Sequence, residues 1–177
     1  LLKIMSSYSN ICNYIHLPLQ SGSSKVLNRM NRTYSKGDFL ELVEKIKTYM
    51  PNCSISTDII VGFPGESEDD FNETLDVVKK VKFDFSYMFK YSSRPGTKAA
   101  EYTDQISENI KQKRLEKLIN LQSKITLNNN QKRIGTIQHI LIEKESKKSD
   151  QYWSGRTDGN IWTIIKKNNE TVKDIIP

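Results

Sequence analysis

The sequence predicts an α/β protein: part of a (β/α) barrel, followed by a small all-β module. Two observations carry that prediction. Over roughly the first hundred residues a short apolar strand, a turn and an amphipathic helix recur in that order. Strands joined by helical crossovers must run parallel. After Gly135 the pattern changes to short strands separated by polar turns, without helical periodicity.

Tyr14–Gln20 alternates, with Ile15, Leu17 and Leu19 on one side and His16, Pro18 and Gln20 on the other, which is the period of a strand. A helix is expected from Gly37 and Asp38, with Phe39, Val43, Ile46 and Met50 on its buried face and Pro51 ending it. Ser54–Gly62 is the second strand, and its Ile59-Ile60-Val61 run suits a sheet covered on both faces. Ser67, with Asp70 three residues on, opens a second helix as a capping box, with Phe71, Leu75 and Val78 inward. A third strand is expected at Asp84–Tyr91, broken by Ser92-Ser93-Arg94-Pro95-Gly96-Thr97. A long Lys-rich helix should then run from Gln105 to about Arg133, with Leu115, Leu118, Ile119 and Gln122 as its contact stripe. Residues 1–133 form the first unit on this reading, and 134–177 the β module. The module's strands are expected at Ile137–Ile142 and Asn160–Lys166, with Lys144–Trp153 a polar loop.

The bulk composition narrows the function classes. With 36% apolar and 27% charged residues over 177 positions, a folded chain is expected rather than a disordered one. No apolar run approaches the roughly 20 residues that span a bilayer, and no signal-peptide pattern follows Leu1, so no membrane partner and a cytoplasmic location are expected. The formal charge of +6 points weakly to an anionic partner. The basic stretch Lys111, Lys113, Arg114, Lys117, Lys124, Lys132 and Arg133 is opposed locally by Glu108 and Glu116, and reads first as a solvated helix face. Cys12 and Cys53 are the only cysteines, too few and too far apart for a disulfide framework or a thiolate metal site. The opening Leu1 and the helical character of the first residues lead us to expect a preceding N-terminal half.

In a (β/α) barrel the functional groups sit at the C-terminal ends of the strands. Here those positions are Gln20-Ser21-Gly22-Ser23, Gly62-Phe63-Pro64-Gly65-Glu66 and Ser92–Thr97, all rich in small and polar residues. His16 and Gln20 on the first strand, and Ser56 and Asp58 on the second, fall on the side expected to line the barrel interior. Taken singly, each loop reads as an ordinary turn. No phosphate-loop signature and no Ser–His–Asp order accompanies them.

Taken in order the strings say more. His16-Leu17-Pro18-Leu19-Gln20-Ser21-Gly22-Ser23, Met30-Asn31-Arg32, Asp58-Ile59-Ile60-Val61-Gly62-Phe63-Pro64-Gly65-Glu66 and Tyr91-Ser92-Ser93-Arg94-Pro95-Gly96-Thr97 succeed one another. This series resembles the MiaB-type tRNA methylthiotransferases, a branch of the radical S-adenosylmethionine (SAM) enzymes. Gly155-Arg156-Thr157 and Asn160 resemble the RNA-binding β module, called TRAM, of that family. The resemblance implies a partial barrel that holds SAM and a [4Fe–4S] cluster. It also implies a 5′-deoxyadenosyl radical, and methylthiolation of an isopentenylated adenosine beside a tRNA anticodon.

Carried over by motif, Gln20, Ser21, Ser56, Asp58, Gly62, Pro64, Glu66 and Arg94 are the expected cofactor-binding positions, and Lys147, Lys148, Arg156 and Asn160 the expected RNA contacts. The basic helix becomes an expected tRNA-facing surface beside them. The CxxxCxxC string that ligates the radical-generating cluster is absent, so [4Fe–4S] clusters are expected in the complete enzyme and not on residues of this chain. By this reading no catalytic or metal-ligating residue lies here, the β module is truncated, and the chain acts only with the remainder of the enzyme. A sister methylthiotransferase, acting on threonylcarbamoyladenosine or a ribosomal-protein aspartate, and a non-catalytic RNA-binding remnant are the alternative readings.

Overall fold

The computed structural model describes residues 1–177. A short helix α1 (Leu2–Met5) leads into strand β1 (Tyr14–His16), then helices α2 (Ser24–Arg29) and α3 (Lys36–Tyr49). Strand β2 (Ser54–Val61), helix α4 (Glu68–Val81) and strand β3 (Phe85–Lys90) follow. After α5 (Lys98–Glu101) comes the long helix α6 (Glu108–Gln131). The β module consists of β4 (Ile140–Glu145), β5 (Tyr152–Thr157), β6 (Trp162–Lys166) and β7 (Ile175–Ile176).

The first three strands form one parallel sheet in the order β1-β2-β3, with Ser56 aligned to His16 on one side and to Phe85 on the other. A single parallel bridge, Gln20 to Ile59, continues the β1 side beyond the strand proper. Alternation along β2 sends Ile55, Thr57, Ile59 and Val61 into the helix layer. There Ile55, Ile59 and Val61 join Leu19, Phe39, Val43, Ile46, Phe71, Leu75, Val78, Phe83 and Leu118 in one core, and Thr57 accepts from the Leu19 amide. Ser54, Ser56, Asp58 and Ile60 take the opposite face. The expectation of a sheet covered on both sides is therefore met on one side only: Ile60 is half-buried, and no helix of this chain covers it.

Helix starts follow local chemistry. Ser35 and Ser67 each accept a hydrogen bond from the amide three residues on, and Asp38 and Asp70 return the bond to the cap amide. Two donors that a helix end leaves unpaired are satisfied at each site. The first box starts its helix at Lys36, one turn position ahead of the Gly37-Asp38 expected from the sequence. Asp70 does more than cap. It accepts from Ser23 Oγ at 2.6 Å and Lys25 Nζ at 3.0 Å, so the loop after β1 is tied to the start of α4. The approach is close enough that a Cβ on Gly22 would lie 2.4 Å from Thr74 Cα, so only glycine fits.

Helix α6 corrects the expected contact stripe. Lys111, Arg114, Leu118 and Gln122 are its buried residues, while Ile119 is exposed. Gln122 donates to the Phe83 carbonyl and Thr126 to that of Asp84, which fastens the helix along β3. Lys113, Lys124 and Lys132 are exposed as a solvated face would have them, but the rest of the basic stretch has acidic partners. Arg114 pairs with Glu66 at 2.7 Å, Lys117 approaches Glu68, and Arg133 pairs with Asp84 at 2.6 Å. Those acidic partners lie 40 or more residues away in sequence, which is why local charge counting missed them.

The β module is an antiparallel sheet in the order β6-β5-β4-β7. It corrects the reading of Lys144–Trp153 as a loop: the turn is confined to Ser146–Gln151, and a strand, β5, runs through Tyr152–Thr157 at the sheet centre. Gly155 sits within that strand, where an added Cβ would meet the Leu141 carbonyl at 2.2 Å, so the close approach of β4 requires glycine. The module abuts the N-terminal ends of β1 and β2, where Asn13 donates to Asp158 and Gly159 packs so close to Ser54 that an added Cβ would lie 2.6 Å from its Oγ.

Burial alone would raise the Asp70 pKa, but the bonds from Ser23, Ser67 and Lys25 outweigh it and hold the carboxyl well below the usual range. A folded-state pKa below the unfolded one means stabilisation that is complete above about pH 4 and fades as pH falls further. Asp70→Asn should therefore cost about 2 kcal/mol at neutral pH, in the range for losing a cap and a charged hydrogen bond. Urea unfolding at pH 7 and across the acid range should show the variant less stable, and less acid-sensitive, than the parent.

Candidate functional site

The open face of the parallel sheet is divided by chemistry. Tyr14, His16 and Gln20 from the β1 side, and Ser56 and Asp58 from β2, bring polar groups onto it. Phe85, Tyr87 and Phe89 of β3 bring aromatic rings. The polar half is a connected chain: Tyr14 Oη lies 2.6 Å from Ser56 Oγ, Ser56 Oγ lies 2.8 Å from His16 Nδ1, and His16 Nε2 lies 3.3 Å from Asp58 Oδ2. With a neutral imidazole and an ionised Asp58 one proton ordering satisfies it: Tyr14 donates to Ser56, Ser56 to His16, and His16 to Asp58. The second Asp58 oxygen makes no hydrogen bond within the chain. The partners of His16 stand 40 and 42 residues away in sequence and meet it only through strand pairing.

Gln20 ends the β1 side in a left-handed conformation, φ 64°, which costs a non-glycine residue on the order of 1 kcal/mol. Its backbone is fixed on both sides by β2, donating to the Asp58 carbonyl and accepting from the Ile60 amide. Its carboxamide makes no hydrogen bond within the chain although the residue is buried. A strained residue held by its neighbours, with its polar end unused, is the mark of a ligand-facing position.

Other expected site residues are placed differently. Ser21 is fully buried behind the strand end, its hydroxyl accepting from the Ser23 amide and lying near Thr74. Glu66 is also buried. It accepts from the Gly62 amide at 2.9 Å and pairs with Arg114, with burial pushing its pKa up against both partners. It shapes the Gly62–Glu66 turn from inside. Gly62 has φ 72°, and a Cβ there would meet Lys111 Cγ at 2.4 Å, so helix α6 closes against this turn. Pro64 is buried and its carbonyl accepts from Arg29. Arg94 stands exposed in the loop after β3, without an ion-pair partner in the chain.

In the β module Lys147 and Lys148 are exposed at the β4–β5 turn. Arg156 and Asn160 come together, Arg156 Nη1 donating to Asn160 Oδ1 at 2.9 Å. Arg156 Nε also meets Glu143 at 2.6 Å, and its guanidinium lies over the Trp162 ring. Hydrogen bonding to Glu143 holds its pKa above the ordinary value, with lesser help from the Tyr14 and Tyr87 hydroxyls. A groove of about 620 Å³ at the junction of the two units is lined by Asn13, Ser54, Asp84, Arg133 and Asp158, among others.

The donor set of the open face suits SAM: an unbonded carboxylate oxygen for its cationic groups, and hydroxyl, carboxamide and backbone groups for its ribose and base. A [4Fe–4S] cluster does not suit this chain. Cys12 is exposed and Cys53 half-buried, and no three His, Cys, Asp or Glu side chains converge. Burial, aided by Asp84, pushes the Cys53 thiol up to about 11.

Residues 1–78 match the model of the radical SAM superfamily. The fold agrees: the solved structure of coproporphyrinogen III oxidase from Escherichia coli, described as a radical SAM enzyme, superposes over 89% of this chain and 44% of that one. The TM-score is 0.59 at 13% identity, which speaks for the fold alone. Beyond residue 78 the similarity continues along the whole chain, to tRNA methylthiotransferases. A tRNA-2-methylthio-N(6)-dimethylallyladenosine synthase of Christiangramia forsetii is 47% identical over 99% of this chain and 37% of its own length. One of Pelotomaculum thermopropionicum is 40% identical over 100% of this chain and 40% of its own length. The chain thus spans about two-fifths of these relatives. No helix is long and apolar enough to cross a membrane.

The two thiols should separate in a labelling experiment. Iodoacetamide at pH 8 should alkylate Cys12 within minutes and Cys53 only after denaturation, as peptide mass spectrometry would record. Equal labelling of the native protein would contradict the burial of Cys53.

Proposed function

We propose that this chain supplies the SAM-facing and RNA-facing parts of a tRNA methylthiotransferase that modifies N6-isopentenyladenosine beside the anticodon. The observation that carries the reading is similarity along the whole of this chain, at 40–47% identity, to about two-fifths of two synthases of that printed activity. The divided open face adds support from the chain's own chemistry. Asp58, held by His16, and the unpaired Gln20 carboxamide are the residues we assign to SAM, with Ser56 ordering His16 from behind. Arg94 is assigned to the same opening from the loop after β3. Ser21, Gly62, Pro64 and Glu66 then act by fixing the two turns that border the opening, and so serve the cofactor through backbone position. When bound with a reduced cluster, SAM supplies a carbon radical able to take hydrogen from an aromatic carbon. The cluster ligands would come from residues outside this chain.

The residues after position 133 are assigned to RNA as a TRAM-type module, with Lys147, Lys148, Arg156 and Asn160 as contacts to phosphate or sugar. Partners on this reading are tRNA and the cluster-bearing remainder of the enzyme, in the cytoplasm.

Two measurements test the reading. Expression of the full-length protein in a bacterium lacking its own methylthiotransferase should restore the methylthio nucleoside to digested tRNA, seen by mass spectrometry; tRNA without that nucleoside sinks the assignment. In the purified full-length protein, Asp58→Asn should weaken S-adenosylhomocysteine binding about tenfold in calorimetry while leaving RNA affinity intact. Arg156→Ala should do the reverse, and should flatten the dependence of RNA affinity on salt.

A further inference from the structure

The aromatic half of the open face has no part in the cofactor assignment. Phe85, Tyr87 and Phe89 occupy alternate positions of β3 and are 50%, 51% and 50% exposed. Large apolar rings are seldom left so open in a row, and β3 is an edge strand of its sheet. The rings are ordered: Phe85 and Tyr87 meet edge to face at 4.8 Å, and His16 stands edge-on to Tyr87 at 6.2 Å. Across the sheet, Tyr87 is level with Asp58 and Phe85 with Ser56, so hydrogen-bonding groups lie directly beside the stacking surface.

The neighbouring β module brings cations. It meets the sheet where Asn13, next to Tyr14, donates to Asp158 at 3.2 Å; two residues before Asp158, Arg156, paired with Glu143, covers the Trp162 ring together with Lys144, at 5.3 and 5.0 Å. Trp162 is 54% exposed. Rings with open faces next to paired cations are the elements with which proteins hold single-stranded nucleic acid: bases stack on the rings while the cations follow the backbone. An acidic or purely apolar partner would use only one of the two halves.

The geometry points to β3 as the base platform of the RNA site: Tyr87, flanked by Phe85 and Phe89, stacks an unpaired purine of an RNA loop whose backbone runs toward Arg156 and Trp162. The platform rests on the RNA-modifying reading and adds to it the residues that hold the target base out of its strand. Tyr87 is then a positioning residue with its ring beside the base, while Asp58 and His16 remain on the cofactor side.

The test uses the full-length protein, an anticodon stem–loop RNA with an unpaired adenosine, and a fully paired duplex of the same composition. Tyr87→Ala should weaken stem–loop binding about tenfold, equivalent to about 1.4 kcal/mol and within the range for one lost base–aromatic stack. Duplex binding should stay unchanged, and Tyr87→Trp should retain stem–loop affinity. Calorimetry with S-adenosylhomocysteine should give the same affinity in all three proteins. If Tyr87→Ala instead weakens that nucleoside and spares the RNA, the row belongs to the cofactor's adenine and the platform is wrong. If the variant lowers the thermal midpoint by several degrees with both affinities intact, the row is covered by another part of the polypeptide, which also overturns it. A parent protein that binds neither RNA would remove the RNA-modifying reading itself. A parent that binds the stem–loop equally well with Ala or Tyr at 87 leaves that reading standing and removes the platform.

Discussion

The strict two-residue alternation of β2 is the constraint on which the rest of this structure depends. Because successive side chains leave a strand on opposite faces, one eight-residue segment must serve two environments at once. Ile55, Thr57, Ile59 and Val61 commit one face to the helices, and that commitment alone delivers Ser54, Ser56, Asp58 and Ile60 to the other. A one-residue slip would bury the carboxylate of Asp58 in the core and expose three β-branched aliphatic side chains, a change no local adjustment could absorb. The position of the site therefore follows from the packing of the core.

Around that strand the turns are fixed from behind, by polar contacts that do not reach the open face. Asp70 gathers Ser23, Lys25 and Ser67, and so joins the β1 side to α4. Glu66 gathers the Gly62 amide and Arg114, joining β2 to α6. Both carboxylates are buried and both have their partners, as buried charge requires. They hold the loops at the C-terminal ends of the strands in one shape, which leaves Gln20 in its strained conformation and its carboxamide free. Ser21, the Gly62 amide and Glu66 all have hydrogen-bond partners within the fold, whereas the second Asp58 oxygen and the Gln20 carboxamide have none.

The basic helix shows the same division. Lys111 and Arg114 spend their charge or their aliphatic length inside the fold, and Arg133 is taken by Asp84. In the β module Arg156 is likewise paired, with Glu143, while Lys144 has no ion-pair partner, and both lie over the Trp162 ring.

Much was legible in the residues themselves. The three parallel strands, the two capped helices, the long polar helix and the change of architecture after Gly135 all follow from periodicity and capping chemistry, because those signals act over a few neighbouring residues. The order of the strings from His16 to Thr97 also pointed to the right superfamily. Strand β5 escaped notice because its Ser-Gly-Arg-Thr centre lacks the branched apolar residues that announce a strand, and only pairing with β4 and β6 makes it one. The Tyr14–Ser56–His16–Asp58 chain, the Glu66–Arg114 pair and the aromatic row beside Arg156 were decided by tertiary structure. Each joins residues from different elements, most of them 40 or more positions apart, and hydrogen bonds, ion pairs and stacking depend on distances in space that only strand register and helix packing set.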